Sequence, residues 1–357
     1  MRVMERTALI AMSGGVDSSA AALLLQQAGY ICTGITMRLH DRRDMSADGI
    51  SADAADAARV AERLGIPFHA VDYTDCFARE VMDHFVSEYR AGRTPNPCIQ
   101  CNRRMKFGRL MEEAQRLGCD KLATGHYARV RYDEGRGRWV LQKAKNLAKD
   151  QTYVLYFLSQ EQLSHLLLPL GEFESKDAIR AVAEQYELLT ARKKDSQDIC
   201  FVPDGDHVGF LRRHGAALTP GDFVDTAGHV LGRHRGLEAY TIGQRKGLGV
   251  SGGKRLYVLR KDAAHNAVIL GDDAELFTSA LVAERVSWLS IAPPSGPVRL
   301  AAKTRYTQQE SPATVTPLPD GRARVVFDAP QRAVTAGLAV VFYDGDLVAG
   351  GGTITEV

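Results

Sequence analysis

Residues 7–19 read Thr-Ala-Leu-Ile-Ala-Met-Ser-Gly-Gly-Val-Asp-Ser-Ser, an apolar run followed by a turn rich in glycine and hydroxyl groups. The apolar run, residues 7–12, is typical of a buried strand, and residues 20–25 are typical of the first turns of a buried helix. A glycine turn between a strand and a helix binds phosphates, because the backbone can come close, N–H groups and hydroxyls donate hydrogen bonds, and the helix dipole adds partial positive charge. This stretch therefore predicts an α/β fold with a phosphate-binding site near the start of the chain.

The turn differs from the P-loop of the common NTPases, which has a lysine before its Ser or Thr. Asp17 stands at that place here, and its carboxylate suits a Mg²⁺ ion held against a pyrophosphate. Residues 13–19, SGGVDSS, resemble the signature of the PP-loop ATP pyrophosphatases, which cleave ATP to AMP and pyrophosphate by adenylating an oxygen. The alternative is a glycine-rich turn that binds nothing, but such a turn has no need for an aspartate beside three hydroxyls.

The bulk composition is that of an ordinary soluble protein. Two or three domains are expected for 357 residues, of which 45% are hydrophobic and 25% charged. No run approaches the ~20 apolar residues of a membrane span, and the first residues lack the apolar core of a signal peptide. We therefore expect a cytoplasmic protein whose six cysteines are reduced. Because the net charge is only +2, any nucleic-acid surface must be local.

Strands and helices alternate through residues 1–125, which predicts a doubly wound parallel sheet. Ligands bind such sheets at the carboxyl ends of the strands, where the glycine turn, Met37 and Gly125 are expected to meet. From about residue 204, short β-branched and aromatic runs broken by Gly, Pro and Asp predict all-β structure in small barrels. The predicted domains are a PP-loop domain over 1–203, a central β domain over 204–282 and a C-terminal β-barrel domain over 283–357.

Local signals give the element boundaries within this plan. Ser51 and Gly65 are the expected N-cap and C-terminal stop of one helix, and Asp75 is the expected cap of the next. The other expectations are strands over 30–37, 68–71 and 121–124, a mobile loop over 39–49, a helix over 104–117, a hairpin over 128–144 and a return to helix over 149–188.

Two of the cysteines lie in cationic, loop-like contexts. Pro95 and Pro97 give a rigid approach to a helix that is expected to begin near Cys101, with cations following it. A thiol at a helix N-terminus among cations has a lowered pKa and is nucleophilic at neutral pH. Cys200 likewise follows a cationic run, residues 192–194. The cysteines without such surroundings are expected to be inert small hydrophobes: Cys32, Cys76 and Cys119.

Several motifs occur in order along nearly the whole chain. In the α/β part they are GRTPNP at 92–97 with Cys-Asn at 101–102, TGHYAR at 124–129, KDQ at 149–151 with Tyr at 153, and DSQDICF at 195–201. In the β part they are TIGQRKGLG at 241–249, KTRY at 303–306 and VFY at 341–343. With this set the chain closely resembles the tRNA-specific 2-thiouridylases, the MnmA family. The resemblance implies a PP-loop domain followed by β domains, the last of which binds tRNA.

The resemblance also implies a reaction. ATP and Mg²⁺ bind the glycine turn, the O2 atom of the wobble uridine of a tRNA (position 34) is adenylated, and sulfur from a persulfide on Cys200 replaces it. Cys101 is the family's nucleophile, which either releases sulfide from that persulfide or resolves it, and a Cys101–Cys200 disulfide would then form and be reduced in each turnover. Their Cα atoms must then come within about 7 Å, so a loop is expected to move. Expected partners are tRNAs with anticodons of the Lys, Glu and Gln type and a persulfide sulfur-carrier protein, and the free chain is expected to be a monomer.

The family's site residues carry over motif by motif. The residues implied to bind ATP are Ala11, Met12, Ser13, Gly14, Gly15, Val16, Asp17, Ser18, Met37 and Gly125. The residue implied to bind Mg²⁺ is Asp17. The residues implied to contact tRNA are Asn96, Pro97, Cys98, His126, Lys149, Asp150, Gln151, Arg305 and Tyr306.

Two positions depart from the family pattern. Cys98 stands where many members have a catalytic Asp, and it could replace that Asp as a proton acceptor only if its thiolate is populated. Leu338 stands where members often have a Gln that contacts tRNA, so that contact is not carried over.

Cys98 also leaves a second enzymatic interpretation open. Together with Cys101 and Cys200 it could hold an iron–sulfur cluster, as in other PP-loop tRNA thiolases, and the cluster would then carry the sulfur. Two further alternatives are a non-catalytic RNA-binding scaffold and a small-molecule PP-loop synthetase. The β domains speak against the last, since a small substrate needs no large accessory surface.

Overall fold

A parallel sheet forms the first part of the fold. The computed structural model describes residues 6–40, 51–191, 193, 199–250 and 255–357. The strands up to residue 167 are β1 (Thr7–Ala11), β2 (Ile31–Arg38), β3 (Phe68–Asp72), β4 (Lys121–Ala123), the predicted hairpin β5 (Ala128–Asp133) and β6 (Arg138–Lys143), and β7 (Leu166–Leu167). All of them except the hairpin pair in parallel, in the order β3-β2-β1-β4-β7.

The central strand of this sheet is covered on both faces. Leu9 and Ile10 of β1 are both fully buried, and they belong to different apolar clusters because successive side chains of a strand point to opposite faces. Burial on both faces is what a parallel sheet between two helical layers requires. The predicted doubly wound α/β domain is confirmed.

The first two helices follow the sequence signals closely. α1 (Val16–Gln27) begins at Val16 rather than near residue 20, so Asp17 lies in its first turn. α2 (Ala52–Leu64) begins and ends as expected: the Ser51 side chain accepts a hydrogen bond from the Ala54 N–H, and Gly65 has a φ of +66°. Most of the loop expected at 39–49 lies outside the described residues.

Two longer helical runs follow, and each contains a π-helical segment. The first run consists of α3 (Thr74–Phe77), the π-helical segment Ala78–Met82 and α4 (Asp83–Arg90). The second run consists of α5 (Pro97–Cys101), the π-helical segment Asn102–Arg109 and α6 (Leu110–Arg116). The prediction that Asp75 caps the first run is wrong, because the helix already begins at Thr74, whose N–H and hydroxyl both donate to Asp72. The second run begins at Pro97 rather than near Cys101, because a proline is well tolerated in a first turn.

Residues 149–188 are less helical than expected. They contain α7 (Gln160–Ser164), β7 and α8 (Lys176–Gln185), with 3₁₀ turns at Leu147–Lys149, Thr152–Val154 and Pro169–Glu172. Residues 153–158 are all buried one after another. A surface helix cannot bury every face, so this apolar run instead passes through the core in short turns. Among the described helices, none is both long and apolar enough to cross a membrane.

The central β domain opens with a helix. α9 (His207–Arg213) stands in a region predicted to be all-β, because Asp206 caps it and its apolar side chains pack onto the cluster of α3 and α4. The strands are β8 (Gly221–Val224), β9 (Val230–His234), β10 (Tyr257–Asp262) and β11 (Ala267–Gly271), with a 3₁₀ turn at Leu237–Ala239. They pair in the order β10-β11-β8-β9.

The last strands close into a barrel, as predicted. After a 3₁₀ turn (Asp273–Leu276) they are β12 (Phe277–Trp288), β13 (Val298–Lys303), β14 (Ser311–Pro317), β15 (Ala323–Arg332), β16 (Ala339–Asp344) and β17 (Leu347–Glu356). Their order is β12-β15-β14-β13-β16-β17, and pairing of β12 with β17 closes the ring. β17 also pairs with β6, so the hairpin of the first domain extends the sheet of the last. The predicted boundary between residues 282 and 283 falls inside β12.

Candidate active site

The glycine turn joins the carboxyl end of β1 to the first turn of α1. Gly14 has a φ of +71°, and an added Cβ would lie 2.0 Å from the carbonyl oxygen of Asp53, so no side chain fits there. The Ser13 N–H donates to Ser18 Oγ (3.1 Å), and that hydroxyl donates to the Gly15 carbonyl (3.2 Å). These bonds hold the turn in one shape at a helix N-terminus, where an anion is favoured.

The other residues assigned to ATP meet this turn at the strand ends. Gly125 follows β4, and an added Cβ would lie 2.9 Å from the carbonyl carbon of Asp17, so only a glycine allows this approach. Met12 is buried, and its N–H donates to the Ile35 carbonyl of β2 (2.8 Å). Met37 lies two residues further along β2. The structure thus brings together the residues that the sequence assigned to the nucleotide.

The Asp17 carboxylate lies between two side chains that the sequence did not assign to it. The Tyr127 hydroxyl donates to Asp17 Oδ1 (2.7 Å), and Lys176 Nζ donates to Asp17 Oδ2 (2.9 Å). One carboxylate together with nucleotide phosphate oxygens is a suitable ligand set for Mg²⁺. Asp17 therefore fits the predicted role by its chemistry, but here Lys176 supplies the positive charge.

Cys98 and Cys101 lie on one face of the helix that begins at Pro97, because they are three residues apart. Asn96 fixes the start of this helix: its Oδ1 accepts hydrogen bonds from the N–H groups of Cys98 (3.0 Å) and Ile99 (3.4 Å). Cys98 is exposed and Cys101 is partly buried. Asn96, which the sequence assigned to tRNA, therefore also positions both thiols.

Cys200 is held near this helix by the residue that follows it. The Phe201 ring is buried, and its centroid lies 5.0 to 5.7 Å from those of three other rings: Phe77, Phe85 and Phe210. Cys101 packs against the same apolar cluster. Both cysteines are free thiols. Residues 195–198 of the motif that contains Cys200 lie outside the described residues.

The thiols influence one another, and none has a lowered pKa. Desolvation of the thiol by surrounding groups raises the pKa of Cys101 to about 12, that of Cys200 to about 11 and also that of Cys98. The charge of Cys98 raises the first two further, whereas Lys106 lowers all three. The prediction of a lowered pKa at Cys101 is wrong, because this thiol lies within the helical run, packed against apolar side chains, and not at the helix N-terminus.

Lys106 connects the thiols to the nucleotide turn through His126. Lys106 Nζ lies 3.5 Å from His126 Nε2, and His126 Nδ1 lies 2.7 Å from Thr124 Oγ1. His126 directly follows Gly125, the residue that contacts Asp17. Burial, and then the charge of Lys106, lower the pKa of His126 well below its usual value, so the imidazole is neutral at pH 7.

Two residues assigned to tRNA are engaged within the protein. The Asp150 carboxylate accepts hydrogen bonds from the Ala144 N–H (2.9 Å) and the Thr152 hydroxyl (2.5 Å). Gln151 Oε1 accepts from the Tyr127 N–H (2.9 Å), and the Gln151 N–H donates to the Tyr127 carbonyl (2.9 Å). In this structure both residues support the segment that carries His126 and Tyr127.

Arg305 joins the central β domain to the barrel. Its guanidinium donates to the carbonyl oxygens of Ile242 (3.2 Å) and Ala333 (2.7 Å) and to the Thr335 hydroxyl (3.0 Å). Burial lowers the pKa of Arg305 from its usual value. Its cationic group is therefore directed at protein acceptors and not at solvent.

Tyr306 is the assigned tRNA residue of the barrel that is most open to solvent. It is 41% exposed, and its hydroxyl donates to the Asp150 carbonyl (3.2 Å). Burial raises the pKa of this hydroxyl, and so do the charges of Asp150 and Cys98, which means that the barrel reaches the thiols. Lys149, on the adjoining 3₁₀ turn, is partly exposed.

Comparisons with known proteins match the chain along nearly its whole length. Three family models match in order: the tRNA methyl transferase HUP domain at 6–204, the tRNA methyl transferase PRC-barrel domain at 208–272, and the aminomethyltransferase beta-barrel domain at 278–354. A tRNA-specific 2-thiouridylase MnmA from Acetivibrio thermocellus is 47% identical over 357 residues, which cover 98% of this chain and 99% of that protein. Another from Moorella thermoacetica is 48% identical over 355 residues, with coverage of 98% and 99%. The chain belongs to the tRNA-specific 2-thiouridylase family.

A solved structure offers a weaker comparison. It is the U34-tRNA thiolase NcsA from Methanococcus maripaludis with its [4Fe-4S] cluster, with 17% identity and a TM-score of 0.35 over 60% of this chain and 69% of that one. A score this low carries no argument about this chain. Membership of the 2-thiouridylase family favours neither the iron–sulfur interpretation nor the scaffold or synthetase alternatives. In addition, no group of three or more His, Cys, Asp or Glu among the described residues is placed to hold a metal ion.

The 2-thiouridylase motifs did not identify every side chain at the site. Lys106 stood out in the sequence only as one of several cations after Cys101. Lys193, in the run before Cys200, donates to the Gly14 carbonyl (3.0 Å) and to two carboxylates of α2 (2.6 Å each), which ties this segment to the nucleotide turn. Lys176 gave no local signal, because only the folding of α8 against α1 brings it to Asp17.

Proposed function

We propose that this chain transfers sulfur to C2 of the wobble uridine of tRNA in a reaction driven by ATP. The uridine O2 attacks the α-phosphorus of ATP, pyrophosphate leaves, and the adenylated carbon then loses AMP when sulfur attacks it. Adenylation is needed because a carbonyl oxygen is a poor leaving group and AMP is a good one. Pyrophosphate, AMP and a 2-thiouridine are the products.

The observation that carries this proposal is a set of neighbouring residues that links the nucleotide turn to the thiols. Asp17 meets Gly125, His126 follows it, and Lys106, which lies 3.5 Å from His126, acts on the three cysteines through its charge. A uridine held beside this set would have ATP on one side and sulfur on the other. Because the reacting groups are held close together, adenylation and sulfur transfer can take place in the same site.

The sulfur step uses two thiols with different roles. Cys200 carries a persulfide, and the Cys101 thiolate attacks the Cys200 sulfur, which releases hydrosulfide and forms a Cys101–Cys200 disulfide. The hydrosulfide attacks C2, and a two-electron thiol reductant then restores both thiols. Because the pKa of Cys101 is raised to about 12, its thiol must lose a proton before or during this step.

Cys98 is not the proton acceptor in this scheme. Desolvation of its thiol raises the pKa of Cys98, so its thiolate is scarce at neutral pH, and a thiol cannot accept a proton as the family's aspartate does. Its place beside Cys101 instead gives it contact with the incoming uridine, together with Asn96 and Pro97.

We propose the cofactor and partners that the family resemblance implies. Mg²⁺ held by Asp17 and ATP phosphate oxygens would neutralise the leaving pyrophosphate. The substrates are tRNAs with anticodons of the Lys, Glu and Gln type. A persulfide sulfur-carrier protein transfers sulfur to Cys200. The chain acts as a monomer when free, in the cytoplasm.

The test is nucleoside analysis after reaction. The chain is incubated with ATP, a persulfide source and tRNA that lacks the modification, and the digested tRNA is examined by mass spectrometry. We expect 2-thiouridine to appear only with ATP, with one pyrophosphate released for each thiouridine. Unmodified tRNA after pyrophosphate release, or thiolation without ATP, would contradict the proposal.

A further inference from the structure

A lysine reaches from α8 into the nucleotide turn. Lys176 is the first residue of α8, directly after the cap Ser175, whose side chain accepts from the Ala178 N–H (3.1 Å). The Lys176 side chain is only 10% exposed, and its Nζ donates to Asp17 Oδ2 (2.9 Å). Lysines are almost never buried unless they are paired, so this amine is in place because of Asp17.

The pair is a poor explanation for fold stability alone. Removing two charges from water costs more than their mutual attraction returns unless the geometry is excellent, so a buried ion pair is weak evidence for a stabilising role. The pair instead lies at a glycine turn and helix N-terminus, which is a shape that receives phosphates. A function in ligand binding accounts for the burial better.

The charge balance of the turn points to that function. ATP brings several negative charges to a turn that already carries the Asp17 carboxylate, and like charges repel. Lys176 cancels the charge of Asp17, and a lysine ammonium can donate up to three hydrogen bonds. An amine beside this loop is therefore positioned to pass from a carboxylate to a phosphate.

We propose that Lys176 is a phosphate-binding residue of the nucleotide site: it neutralises Asp17 before ATP binds and donates to the ATP phosphates afterwards. The inference rests on the proposed use of ATP, and it adds a residue that the family motifs do not include. Once the lysine has turned to the phosphates, Asp17 would be able to hold a Mg²⁺ ion that binds with ATP. Tyr127, which donates to the other carboxylate oxygen, keeps Asp17 oriented during the exchange.

The test measures equilibrium binding without tRNA, so no chemistry takes place. Calorimetry with ATP, inorganic pyrophosphate and adenosine is carried out on the full chain, in EDTA and in Mg²⁺. For Lys176→Gln we expect the Kd for ATP and for pyrophosphate to rise about tenfold or more, with adenosine unchanged. Equal affinities for the variant and the unchanged chain would overturn the proposal.

A matched control and a double variant exclude indirect effects. Lys145→Gln breaks another lysine–carboxylate pair of similar length (3.0 Å, with Glu172) away from the turn, and it should change none of the three affinities. The double variant Asp17→Asn, Lys176→Gln removes both charges of the pair, so neither charge is left unpaired to disturb folding. We expect the double variant to bind pyrophosphate about tenfold more weakly than Asp17→Asn alone. Equal binding by these two would mean that Lys176 acts only on Asp17, and the proposal would fall.

The two proposals fail in different ways. If the unchanged chain binds ATP but forms no 2-thiouridine, the proposed function fails while the ratio of variant to unchanged Kd still tests Lys176. If thiolation proceeds normally and the ratio is one, only the role of Lys176 fails.

Discussion

Lys106 is the residue on which the chemistry of the thiols depends most. It lowers the pKa of Cys98, Cys101 and Cys200, each of which burial raises, and its Nζ lies 3.5 Å from His126. A single charge therefore acts on both halves of the site. Its partners are neutral at pH 7, so the ammonium stabilises whatever anion forms there, a thiolate or an adenylated intermediate.

Replacing this lysine should make the exposed thiols less reactive. In Lys106→Met, the pKa of Cys98 and Cys200 rises, and each unit lowers the thiolate fraction tenfold but raises its nucleophilicity about threefold, for a net loss of about threefold in rate per unit. Iodoacetamide alkylation at pH 8, followed residue by residue with mass spectrometry, measures this. In all variants the rate should rise with pH, because the thiol pKa values lie above the assay pH.

Arg104→Gln is the control, since it removes a charge from the same helix that is directed at Glu80 (3.7 Å). We expect it to leave both alkylation rates unchanged. Equal slowing in the two variants would show that net charge matters and the position of Lys106 does not.

The helix that begins at Pro97 determines where the thiols of Cys98 and Cys101 lie. It begins at Pro97, and a π-helical segment, Asn102–Arg109, follows Cys101 directly. Hydrogen bonds in a π-helix join residues i and i+5. Side chains five residues apart therefore project more nearly from the same side of the helix than they do in an α-helix. Lys106 is five residues after Cys101, which explains how it acts on that thiol.

The cap of this helix should control the order of the thiol segment. Asn96→Ala removes the acceptor of the Cys98 and Ile99 N–H groups. This loss lowers the stability of the helix N-terminus by about 1 kcal/mol, which raises the equilibrium constant for its local opening about fivefold. Hydrogen exchange of these two amides should accelerate by about that factor, while Asn96→Ser, which keeps a capping oxygen, should retain slow exchange. Unchanged exchange in Asn96→Ala would contradict the role of the cap.

The limits of sequence-based prediction are clearest at this same helix. Ser51 and Gly65 gave correct boundaries for α2, because capping and a left-handed stop are local effects. The same reasoning misplaced the start at Cys101 and predicted a lowered pKa there, because burial by Phe201 and its neighbours is a tertiary effect that no local pattern records. A π-helical segment likewise has no sequence signal that we could use.

In the whole molecule, the backbone of the barrel supports the loop that leads to Cys98. The Thr94 N–H donates to the Ala336 carbonyl (2.9 Å), and a Cβ added to Gly337 would lie 2.8 Å from the Thr94 nitrogen. The loop before Cys98 therefore rests on the barrel backbone. The short β-branched and aromatic runs predicted that a β-barrel would be present, but the contact between loop and barrel depends on how the domains pack.

Arg305 should stabilise the contact between the central β domain and the barrel. Arg305→Met removes three hydrogen bonds between the two domains and within the barrel, so we expect the Tm to fall by a few degrees. The slope of log Kd for tRNA against log salt should stay the same, because a lost phosphate contact would change it by about one. Differential scanning calorimetry and a salt titration of tRNA binding measure the two effects.

Arg299→Met provides the comparison, since it breaks an exposed ion pair with Asp328 (2.6 Å) in the same barrel. Such pairs contribute about 0–1 kcal/mol, so its Tm should barely change. If Arg305→Met instead lowers the salt slope by about one and leaves the Tm alone, Arg305 binds tRNA directly, as the family motif implies.

The most direct test of the account separates adenylation from sulfur transfer in one reaction. Cys200→Ser is given ATP, a persulfide source and unmodified tRNA, and both pyrophosphate and 2-thiouridine are measured, with Cys119→Ser as the control that should make both. We predict that Cys200→Ser releases pyrophosphate with tRNA but forms no 2-thiouridine. Formation of 2-thiouridine by Cys200→Ser would contradict the account, because sulfur would then reach the uridine without this thiol.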